Sequence, residues 1–441
     1  MSRKAVIETF GCQMNVHDSE RIAGLLEQSG YVMTKDLVEA DLVVINTCSV
    51  REKAQEKLYA RLDDVRGKSG KERPLVAVTG CVAQQEGGKI ANQTTTSVDV
   101  VAGTQAIKRL PLLLAEAEHS NRLQVDINPY DDVSFPLGIA SRNDATKAFI
   151  NIIEGCNDFC TFCVVPYTRG FERMRSSDEI LAEVKLAAED GHSEIHLLGQ
   201  IVNHYQDPVN PELDFSELLR LVEKIEKVKR IRFASPHPRH VSDRLIETMG
   251  ELKKVCRHLH LPLQSGSSKI LKSMNRRHTR EHYLNLVNKV RKSIPEIALS
   301  TDIIVGFPGE TESDFLETLN MTETVRFNSM FSFKYSERPN TLASKRLPDT
   351  VPSEEKLARL MRLQGLQKKI QSGLNEELVG QTVEVLIDSR SRKRPHELSG
   401  RTSQNIIVNF QGTSDQIGGL ATVRIDESGP HSVHGFQVQS S

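Results

Sequence analysis

Three cysteines in one short stretch of the chain have a spacing that suits metal binding. Cys156, Cys160 and Cys163 form the pattern C-x3-C-x2-C directly after residues 148–153, an apolar run typical of a buried strand. A cubane iron–sulfur cluster normally has four thiolate ligands, one on each iron. Three thiolates would therefore leave one iron open to a small molecule that chelates through an amine and a carboxylate. A zinc site with a distant fourth ligand and three unrelated buried thiols are the alternative interpretations.

Three further cysteines occupy equivalent positions near the start of the chain, each after an apolar run that predicts a strand. The cysteines are Cys12, Cys48 and Cys81, and the runs are residues 5–10, 41–47 and 74–80. Helical patterns separate the runs: one helix is capped at Asp18 and a second extends from about Arg51 to Arg66. This order predicts a parallel sheet, and ligands bind at the carboxyl ends of parallel strands. The thiols could therefore meet around a second cluster, although their spacings of 36 and 33 residues match no metal-binding motif. Three buried core thiols are the alternative.

The composition indicates a globular protein of the cytoplasm. The 441 residues are 38% hydrophobic and 26% charged, and no run approaches the roughly 18 apolar residues of a membrane span. The chain begins with a strand pattern rather than with the apolar core of a signal peptide. We therefore expect a cytoplasmic protein with no membrane partner, and the presence of seven cysteines in such a protein indicates metal or redox chemistry rather than disulfides. The net charge of −1 means that any nucleic-acid binding must come from a local patch.

The order of strand and helix patterns predicts an α/β protein with several domains. We expect an N-terminal parallel-sheet domain at residues 1–120, a linker at 121–146, a barrel at 147–376 and a small antiparallel β-barrel at 377–441. Six strand–helix units in the third segment predict an incomplete (β/α)6 barrel. Function in such barrels gathers at the C-terminal ends of the strands, and Cys156 follows the first of them.

The last domain has three apolar runs that predict strands, at residues 382–387, 406–410 and 421–425, and a dense run of cations lies between the first two. The cations are Arg390, Arg392, Lys393 and Arg394, with Arg401 close behind. Such a run binds phosphates well, because each contact releases counterions from the nucleic acid. The run therefore favours nucleic-acid binding, and a solvated hairpin turn is the alternative.

Other residues give weaker indications of chemistry. His258 and His260 alternate along a predicted strand and so share one face, where we expect packed or hydrogen-bonded histidines, with metal ligation as the alternative. Cys256 is interpreted as a structural thiol. Gly306 and Gly309 would let the backbone come close to a ligand, although the same residues also make an ordinary turn.

Longer stretches of the sequence resemble the methylthiotransferases, a family of radical S-adenosylmethionine (SAM) enzymes. The matching stretches are residues 9–15 (TFGCQMN), 46–54 (NTCSVREKA), 80–84 (GCVAQ), 163–170 (CVVPYTRG), 235–238 (SPHP), 260–267 (HLPLQSGS) and 400–402 (GRT). The resemblance covers almost the whole chain. It implies an N-terminal domain with three cluster cysteines, a radical SAM barrel and a C-terminal TRAM domain, which is a small RNA-binding β-barrel. Residues 171–174 (FERM) and 199–203 (GQIVN) depart from the family's usual sequence.

The resemblance also implies two [4Fe-4S] clusters and SAM as cofactors. Cys156, Cys160 and Cys163 would hold the cluster whose open iron chelates SAM, and one electron from it would cleave SAM to methionine and a 5′-deoxyadenosyl radical. A second cluster would carry the sulfur that a first SAM methylates and that is then transferred; its ligands would be Cys12, Cys48 and Cys81. The candidates for holding SAM at the strand ends are Gln200, Ser235, Gln264 and Glu310. No catalytic residue is expected beyond the clusters.

Within the family, the sequence Gln13-Met14-Asn15 after the first cysteine favours the branch that acts on dimethylallyladenosine in tRNA. The implied reaction adds a methylthio group to carbon 2 of that nucleoside, next to the anticodon. The TRAM domain would bind tRNA through the cations named above, and an electron donor and a sulfur donor are further partners of an enzyme expected to be monomeric. Methylthiotransfer to threonylcarbamoyl-adenosine tRNA or to a ribosomal protein remains an alternative. So does a non-catalytic iron–sulfur RNA-binding sensor.

Overall fold

The computed structural model of the chain describes residues 2–49, 52–68, 73–94, 97–128, 136–392, 394 and 396–438. The chain forms two compact units. The first comprises Met1–Asn143, Asn151–Phe159 and Cys163–Arg175, and the second comprises Asp144–Ile150, Cys160–Phe162 and Ser176–Ser441. In the part of the chain that is described, no helix is long and apolar enough to cross a membrane.

A parallel sheet forms the centre of the first unit. Its strands are β1 (Arg3–Phe10), β2 (Tyr31–Met33), β3 (Leu42–Thr47), β4 (Leu75–Gly80), β5 (Val100–Ala102) and β6 (Gln124–Asp126). The helices are α1 (Gln13–Gln28), α2 (Glu52–Lys68), α3 (Cys81–Glu86), α4 (Lys89–Asn92) and α5 (Leu110–Ser120). The strand order is β2-β1-β3-β4-β5-β6, and the neighbouring strands are paired in parallel.

Apolar side chains cover both faces of this sheet. One face packs against α1 and α5 through Ile22, Leu26 and Leu110. The other face packs against α2 and α3 through Leu58 and Val82. Strands covered by helices on both sides are apolar along their whole length, which is why these strands appear in the sequence as continuous apolar runs. The predicted parallel α/β fold is therefore confirmed.

The first unit differs from the prediction at one helix start and at two short strands, of which β2 (Tyr31–Met33) had not been predicted. Helix α1 begins at Gln13 rather than at Asp18, because the extended backbone of Cys12 already forms the N-cap. The segment Gln124–Asp126, which we placed in the linker, forms β6 and pairs with β5; three residues are too few to show a strand period. Arg51, where we expected the second helix to begin, lies outside the described residues, as do residues 129–135 of the predicted linker.

A short ribbon follows the first strand of the barrel, β7 (Lys147–Asn151). The ribbon pairs β8 (Ile153–Glu154) with β9 (Arg173–Met174) in antiparallel fashion. A short helix, α6 (Val165–Thr168), lies between these two strands in the sequence. The ribbon thereby brackets the segment that contains the C-x3-C-x2-C motif.

The barrel of the second unit has its parallel strands in sequence order. After β7 come β10 (Glu194–Leu198), β11 (Arg230–Phe233), β12 (His258–His260), β13 (Ala298–Val305) and β14 (Ser329–Lys334). The helices are α7 (Ser177–Glu189), α8 (Phe215–Glu223), α9 (Asp243–Glu251), α10 (Ser268–Ser273), α11 (Arg280–Ser293), α12 (Glu312–Val325), α13 (Leu342–Arg346) and α14 (Ser353–Glu376). The strands form two three-stranded sheets, and a parallel bridge joins Ile231 of β11 to Val255, three residues before β12. No pairing of β7 with β14 is found among the described residues, as expected of an incomplete (β/α)6 barrel.

Polar side chains fix the start of the main barrel helices. Ser176, Asp214, Ser242, Thr279 and Thr311 each accept a hydrogen bond from a backbone N–H in the first turn of α7, α8, α9, α11 and α12, respectively. Such N-caps satisfy donors that the helix itself leaves unpaired. The loops that follow the strands are thereby held in place, and these loops contain the predicted functional residues.

A closed five-stranded barrel ends the chain. Its strands are β15 (Thr382–Arg390), β16 (Glu397–Thr402), β17 (Ile407–Gln411), β18 (Leu420–Ser428) and β19 (Val433–Gln437), in the order β15-β16-β17-β19-β18. The sequence pattern predicted β15, β17 and β18 but missed β16 and β19, which contain few apolar residues. Gly400 is needed in β16, because a Cβ there would lie 2.3 Å from the carbonyl oxygen of Leu386.

Buried arginines of the (β/α)6 barrel bind the end of strand β16. The Nη1 and Nη2 groups of Arg232 donate to the carbonyl oxygens of Ser403 at 3.1 Å and Thr402 at 2.8 Å. Its Nε pairs with Glu194 at 3.0 Å, and both side chains are almost fully buried. Arg230 binds the same segment. The small β-barrel is therefore attached through buried charged groups and main-chain carbonyls.

We predict that Arg232→Met lowers the free energy of unfolding of the second unit by roughly 3–5 kcal/mol, because Glu194 would remain buried without its cation. Urea denaturation of the full chain measures the change. Arg244→Met is the matched control, since the Arg244–Asp214 pair at 3.0 Å is half exposed and such pairs contribute about 0–1 kcal/mol. Equal losses of unfolding free energy in the two variants would contradict the inference that burial makes the Arg232–Glu194 pair costly to break.

Candidate metal and nucleic-acid sites

The first trio of cysteines lies at one edge of the parallel sheet. Cys12, Cys48 and Cys81 follow β1, β3 and β4, which are neighbours in the sheet. The register aligns Phe10 with Thr47 at the ends of the first two strands, and the Cys48 N–H donates to the Phe10 carbonyl at 2.8 Å. The strand pattern of the sequence had predicted this common position.

Two glycines let the cysteine-bearing segments approach one another. A Cβ on Gly11 would lie 2.8 Å from the Cβ of Cys48, and a Cβ on Gly80 would lie 2.5 Å from the carbonyl oxygen of Thr47. Gly80 also has a φ of 90°, a left-handed conformation that favours glycine. A larger residue at either position would push the strand ends apart.

The three thiols are in contact and have unequal acidity. Hydrogen bonding with the Cys48 thiol lowers the pKa of Cys12 to about 6 and that of Cys81 to about 7. The same contacts raise the pKa of Cys48. The positive charge of Arg169 further lowers the pKa of Cys12 and Cys81. Because thiolates are the form that binds metals, this environment suits metal ligation.

Arg169 is held in place by buried carboxylates. Its Nη2 lies 2.5 Å from Asp18, its Nη1 lies 3.3 Å from Glu154, and all three side chains are at least nine-tenths buried. Gln105 fixes the backbone by donating to the Arg169 carbonyl at 3.0 Å. Our sequence analysis did not identify Arg169 as functional; its place in the matching stretch 163–170 was the only indication.

A single metal ion and an iron–sulfur cluster require different arrangements of the three thiols. Among the described residues, no three His, Cys, Asp or Glu side chains are arranged to hold one metal ion. In a cubane cluster each thiolate binds a different iron, so the three sulfurs need not point at one centre. Three thiols at one sheet edge, two of them with lowered pKa, therefore suit metal ligation.

Local contacts shape the loop that contains Cys156. The Cys156 N–H donates to the carbonyl of Gly170 at 3.1 Å, and its Sγ accepts a hydrogen bond from the Asp158 N–H at 3.5 Å. Gly155 has a φ of 81°, and a Cβ there would lie 2.1 Å from the carbonyl oxygen of Phe171. Cys156 is buried, whereas Cys163 is half buried.

Cys160 belongs to the second unit and has a cationic neighbour. The Arg276 Nη1 lies 3.5 Å from the Cys160 Sγ. The adjacent Thr161 donates its N–H to the carbonyl of Met274 at 3.0 Å and its hydroxyl to that of Ser273 at 2.9 Å. This part of the loop is therefore fixed to the turn that contains Arg276, a residue that the sequence analysis missed.

The four predicted SAM-binding residues lie after the carboxyl ends of successive barrel strands. Gln200 follows β10, Ser235 follows β11, Gln264 follows β12 and Glu310 follows β13. Ser235 and Gln264 have φ values of 60° and 70°, which are rare outside glycine and cluster at functional sites. Within the described residues, Oε1 of Gln200, Gln264 and Glu310 is buried without a hydrogen-bond partner. Unsatisfied buried oxygens at strand ends are what a polar cofactor would satisfy.

One of these four residues also has a structural role. The Oε2 of Glu310 accepts a hydrogen bond from the Gly306 N–H at 2.6 Å and pairs with Arg359 at 2.7 Å. Burial raises the pKa of Glu310. The side chain of Lys356 fills the space beside Gly306, where a Cβ would lie 2.3 Å from its Cγ. Gly306 therefore accommodates Lys356 as well as turning the chain.

The histidines of β12 share one hydrogen-bonding partner. His258 Nε2 and His260 Nδ1 each lie 2.9 Å from the hydroxyl of Ser300, and burial lowers the pKa of His258 well below its usual value. This geometry agrees with hydrogen-bonded histidines. Cys256 is buried, and burial raises the pKa of its thiol, as expected of a structural cysteine.

The predicted phosphate-binding cations line a cavity of about 690 Å³ on the small barrel. Its basic lining consists of Lys147, Arg390, Arg392, Arg394, Arg401, His431 and His434. Arg394 pairs with Glu397 at 3.1 Å, and Arg401 donates to Asn405 at 3.1 Å. Lys393 lies outside the described residues. Part of the positive charge is thus compensated by neighbouring side chains, while Arg392 is exposed.

Three family models match successive parts of the chain. They are the uncharacterized protein family UPF0004 at residues 4–103, the Radical SAM superfamily at residues 150–322 and the TRAM domain at residues 376–436. The radical SAM methyltransferase TsrM from Kitasatospora setae has a similar fold, with a TM-score of 0.55 and 14% identity. The alignment covers 78% of this chain and 74% of that one.

Curated relatives match the chain over nearly its full length. The tRNA-2-methylthio-N(6)-dimethylallyladenosine synthase of Thermoanaerobacter sp. (strain X514) is 46% identical over 98% of this chain and 92% of its own. The enzyme of the same name from Acetivibrio thermocellus is 45% identical over 98% of this chain and 90% of its own. The chain therefore belongs to the family of the tRNA-2-methylthio-N(6)-dimethylallyladenosine synthases.

Proposed function

We propose that this protein is a radical SAM methylthiotransferase that adds a methylthio group to carbon 2 of N(6)-dimethylallyladenosine, next to the anticodon of tRNA. The observation that carries the proposal is the identity of 46% over 98% of the chain, in a protein whose two cysteine trios follow strand ends as that chemistry needs. A one-electron reductant and a sulfur donor are required partners, and we expect the enzyme to act as a monomer.

The residues of the barrel would bind and orient SAM. Cys156, Cys160 and Cys163 would hold a [4Fe-4S] cluster, which supplies an open iron for the amine and carboxylate of SAM and the electron that cleaves it. The Oε1 atoms of Gln200 and Gln264, which are buried without a hydrogen-bond partner among the described residues, would accept hydrogen bonds from the cofactor. The remaining candidates lie after the neighbouring strands: Ser235 and Glu310. The barrel walls would exclude water from the radical chemistry.

The first unit would hold the sulfur. We propose that Cys12, Cys48 and Cys81 ligate a second [4Fe-4S] cluster, because their thiols meet at one sheet edge and two of them have lowered pKa values. Arg169, buried beside them, would stabilise the negative charge of thiolates and of bound sulfide. With three protein ligands, one iron would again stay open, here for the sulfur that is methylated and transferred.

The small β-barrel would bind the backbone of tRNA. Arg390, Arg392, Lys393, Arg394 and Arg401 are the proposed contacts, and the described members of this set line one cavity. Arg392 is exposed and could bind phosphate directly. Arg394 would first have to break its ion pair with Glu397. We also propose the domain limits 1–120, 147–376 and 377–441 for the three functions.

Mass spectrometry of tRNA nucleosides tests the function directly. In cells that lack the gene, the methylthio derivative should disappear and N(6)-dimethylallyladenosine should accumulate; the wild-type gene should reverse both changes. Genes with Cys160→Ala or Cys48→Ala should restore neither. If the dimethylallyladenosine level stays constant while a threonylcarbamoyl-adenosine derivative or a ribosomal protein loses its methylthio group, the proposed substrate is wrong.

Iron content and SAM cleavage separate the two clusters. The wild-type protein, reconstituted without oxygen, should bind about eight irons, four for each cluster. Cys160→Ala should abolish formation of both 5′-deoxyadenosine and thiolated tRNA, since it removes a ligand of the SAM cluster. Cys48→Ala should retain 5′-deoxyadenosine formation and lose thiolation. Saturation of the wild-type protein at about four irons, or thiolation by the Cys48 variant, would eliminate the second cluster.

The salt dependence of tRNA binding tests the basic cavity. Arg390→Ser combined with Arg392→Ser should weaken binding and lower the log–log salt slope by about 1 to 2 units, since each lost phosphate contact removes about 0.7–0.9. Lys224→Ser combined with Lys227→Ser is the matched control, because it removes the same charge from an exposed helix end. Identical slopes for the two double variants would place RNA binding elsewhere.

A further inference from the structure

Arg276 is a buried cation of the (β/α)6 barrel, and the proposed function assigns no role to it. Its side chain lies among residues after β12, and the residue is 6% exposed. Nη2 donates to the carbonyl of Pro262 at 3.2 Å, and Nη1 contacts the Cys160 Sγ at 3.5 Å. The Nε is buried without a hydrogen-bond partner among the described residues. Two of its three nitrogens therefore have defined partners, one of which is a predicted cluster ligand.

Three other buried arginines of the described residues each have a carboxylate partner. Arg169 pairs with Asp18, Arg232 with Glu194 and Arg359 with Glu310. Arg276 forms no ion pair with any Asp or Glu in the described part of the chain. Burying a guanidinium without a counter-charge is strongly unfavourable. The site is therefore incomplete without an anion close to Nη1.

The backbone around Arg276 holds the side chain against the cysteine loop. Asn275 and Arg277 have φ values of 57° and 55°, so left-handed residues flank Arg276 on both sides. The same turn accepts two hydrogen bonds from Thr161, the residue after Cys160, through the carbonyls of Met274 and Ser273. The cysteine loop and the turn that contains Arg276 are therefore held together by one backbone and one side-chain hydrogen bond of Thr161.

An iron–sulfur cluster with three thiolates supplies the missing anion. Such a cluster carries net negative charge, and that charge grows when it accepts an electron. Hydrogen bonds to its sulfurs and nearby charges set its reduction potential. A guanidinium that donates to one thiolate therefore stabilises the reduced form more than the oxidised form.

We propose that Arg276 is a positioning residue that raises the reduction potential of the SAM-binding cluster, through its N–H donated to Cys160 and through its charge. The proposal rests on the proposed function in one respect, namely that Cys160 is a cluster ligand. One electron passes from an external low-potential donor to the cluster, and Arg276 is neither oxidised nor deprotonated.

A redox titration followed by electron paramagnetic resonance tests the proposal on the full chain. Cys12, Cys48 and Cys81 are first replaced with Ala, so that the signal of the remaining cluster is measured alone. Arg276→Met, which removes both charge and donor, should bind as much iron as the parent but titrate at a more negative potential. Arg276→Gln should lie close to it, and Arg276→Lys, which keeps the charge, should lie between it and the parent. Formation of 5′-deoxyadenosine should fall several-fold with a weak reductant and recover with a stronger one.

Arg277→Gln is the matched control, because it makes the same chemical change at the next residue, whose side chain is exposed. Its potential should equal that of the parent. Equal potentials in the parent and in Arg276→Met would overturn the proposal, as would loss of iron from all three Arg276 variants, which would indicate a purely structural residue. If neither the parent nor Arg277→Gln binds a cluster, Cys156, Cys160 and Cys163 are not cluster ligands. The inference about Arg276 is then wrong as well.

Discussion

Hydrogen bonding between parallel strands determines where the first cysteine trio and the SAM-binding candidates of this protein lie. In the first unit the neighbours β1, β3 and β4 bring three cysteines to one edge of a sheet. In the second unit the ordered strands of the open barrel carry Gln200, Ser235 and Gln264 at equivalent ends. Because a parallel ladder aligns the ends of its strands, residues distant in sequence share one position in space. Residues that are far apart in the sequence can therefore form one site without belonging to a common sequence motif.

Buried ion pairs hold the loops that these strand ends carry. Arg169 is fixed by Asp18 and Glu154 beside the first cysteine trio, and Arg359 fixes Glu310 after β13. Such pairs contribute little net stability, since desolvation offsets most of the attraction, but breaking one leaves a costly unpaired charge. Their effect is to select one conformation of each loop. Three cysteines can bind one cluster only if the loops that carry them keep a single conformation.

The sequence predicted the parts of the site that depend on local pattern. Apolar runs located the strands, and the position of Cys12, Cys48 and Cys81 after them followed directly. Arg169 and Arg276 could not be predicted in the same way, because an arginine in a loop is usually exposed and only tertiary contacts show that these two are buried.

Strand length limited the prediction of the fold. Strands β6, β16 and β19 were missed since their segments are short or poor in apolar residues, and the pairing with neighbours, rather than their own composition, makes them strands. The longer apolar runs of the barrel were recognised. The sequence therefore identified the strands with long apolar runs and overlooked strands that are short or contain few apolar residues.

The attachment of the small β-barrel has a consequence for the order in which the chain matures. Arg232 is synthesised 170 residues before Thr402, whose carbonyl it binds. A nascent (β/α)6 barrel would thus leave the ribosome with a buried guanidinium still lacking two of its acceptors. Domains usually fold one after another from the N-terminus during synthesis. Here the (β/α)6 barrel gains its last hydrogen bonds only when the small β-barrel is made, so synthesis of the C-terminal barrel completes the barrel before it.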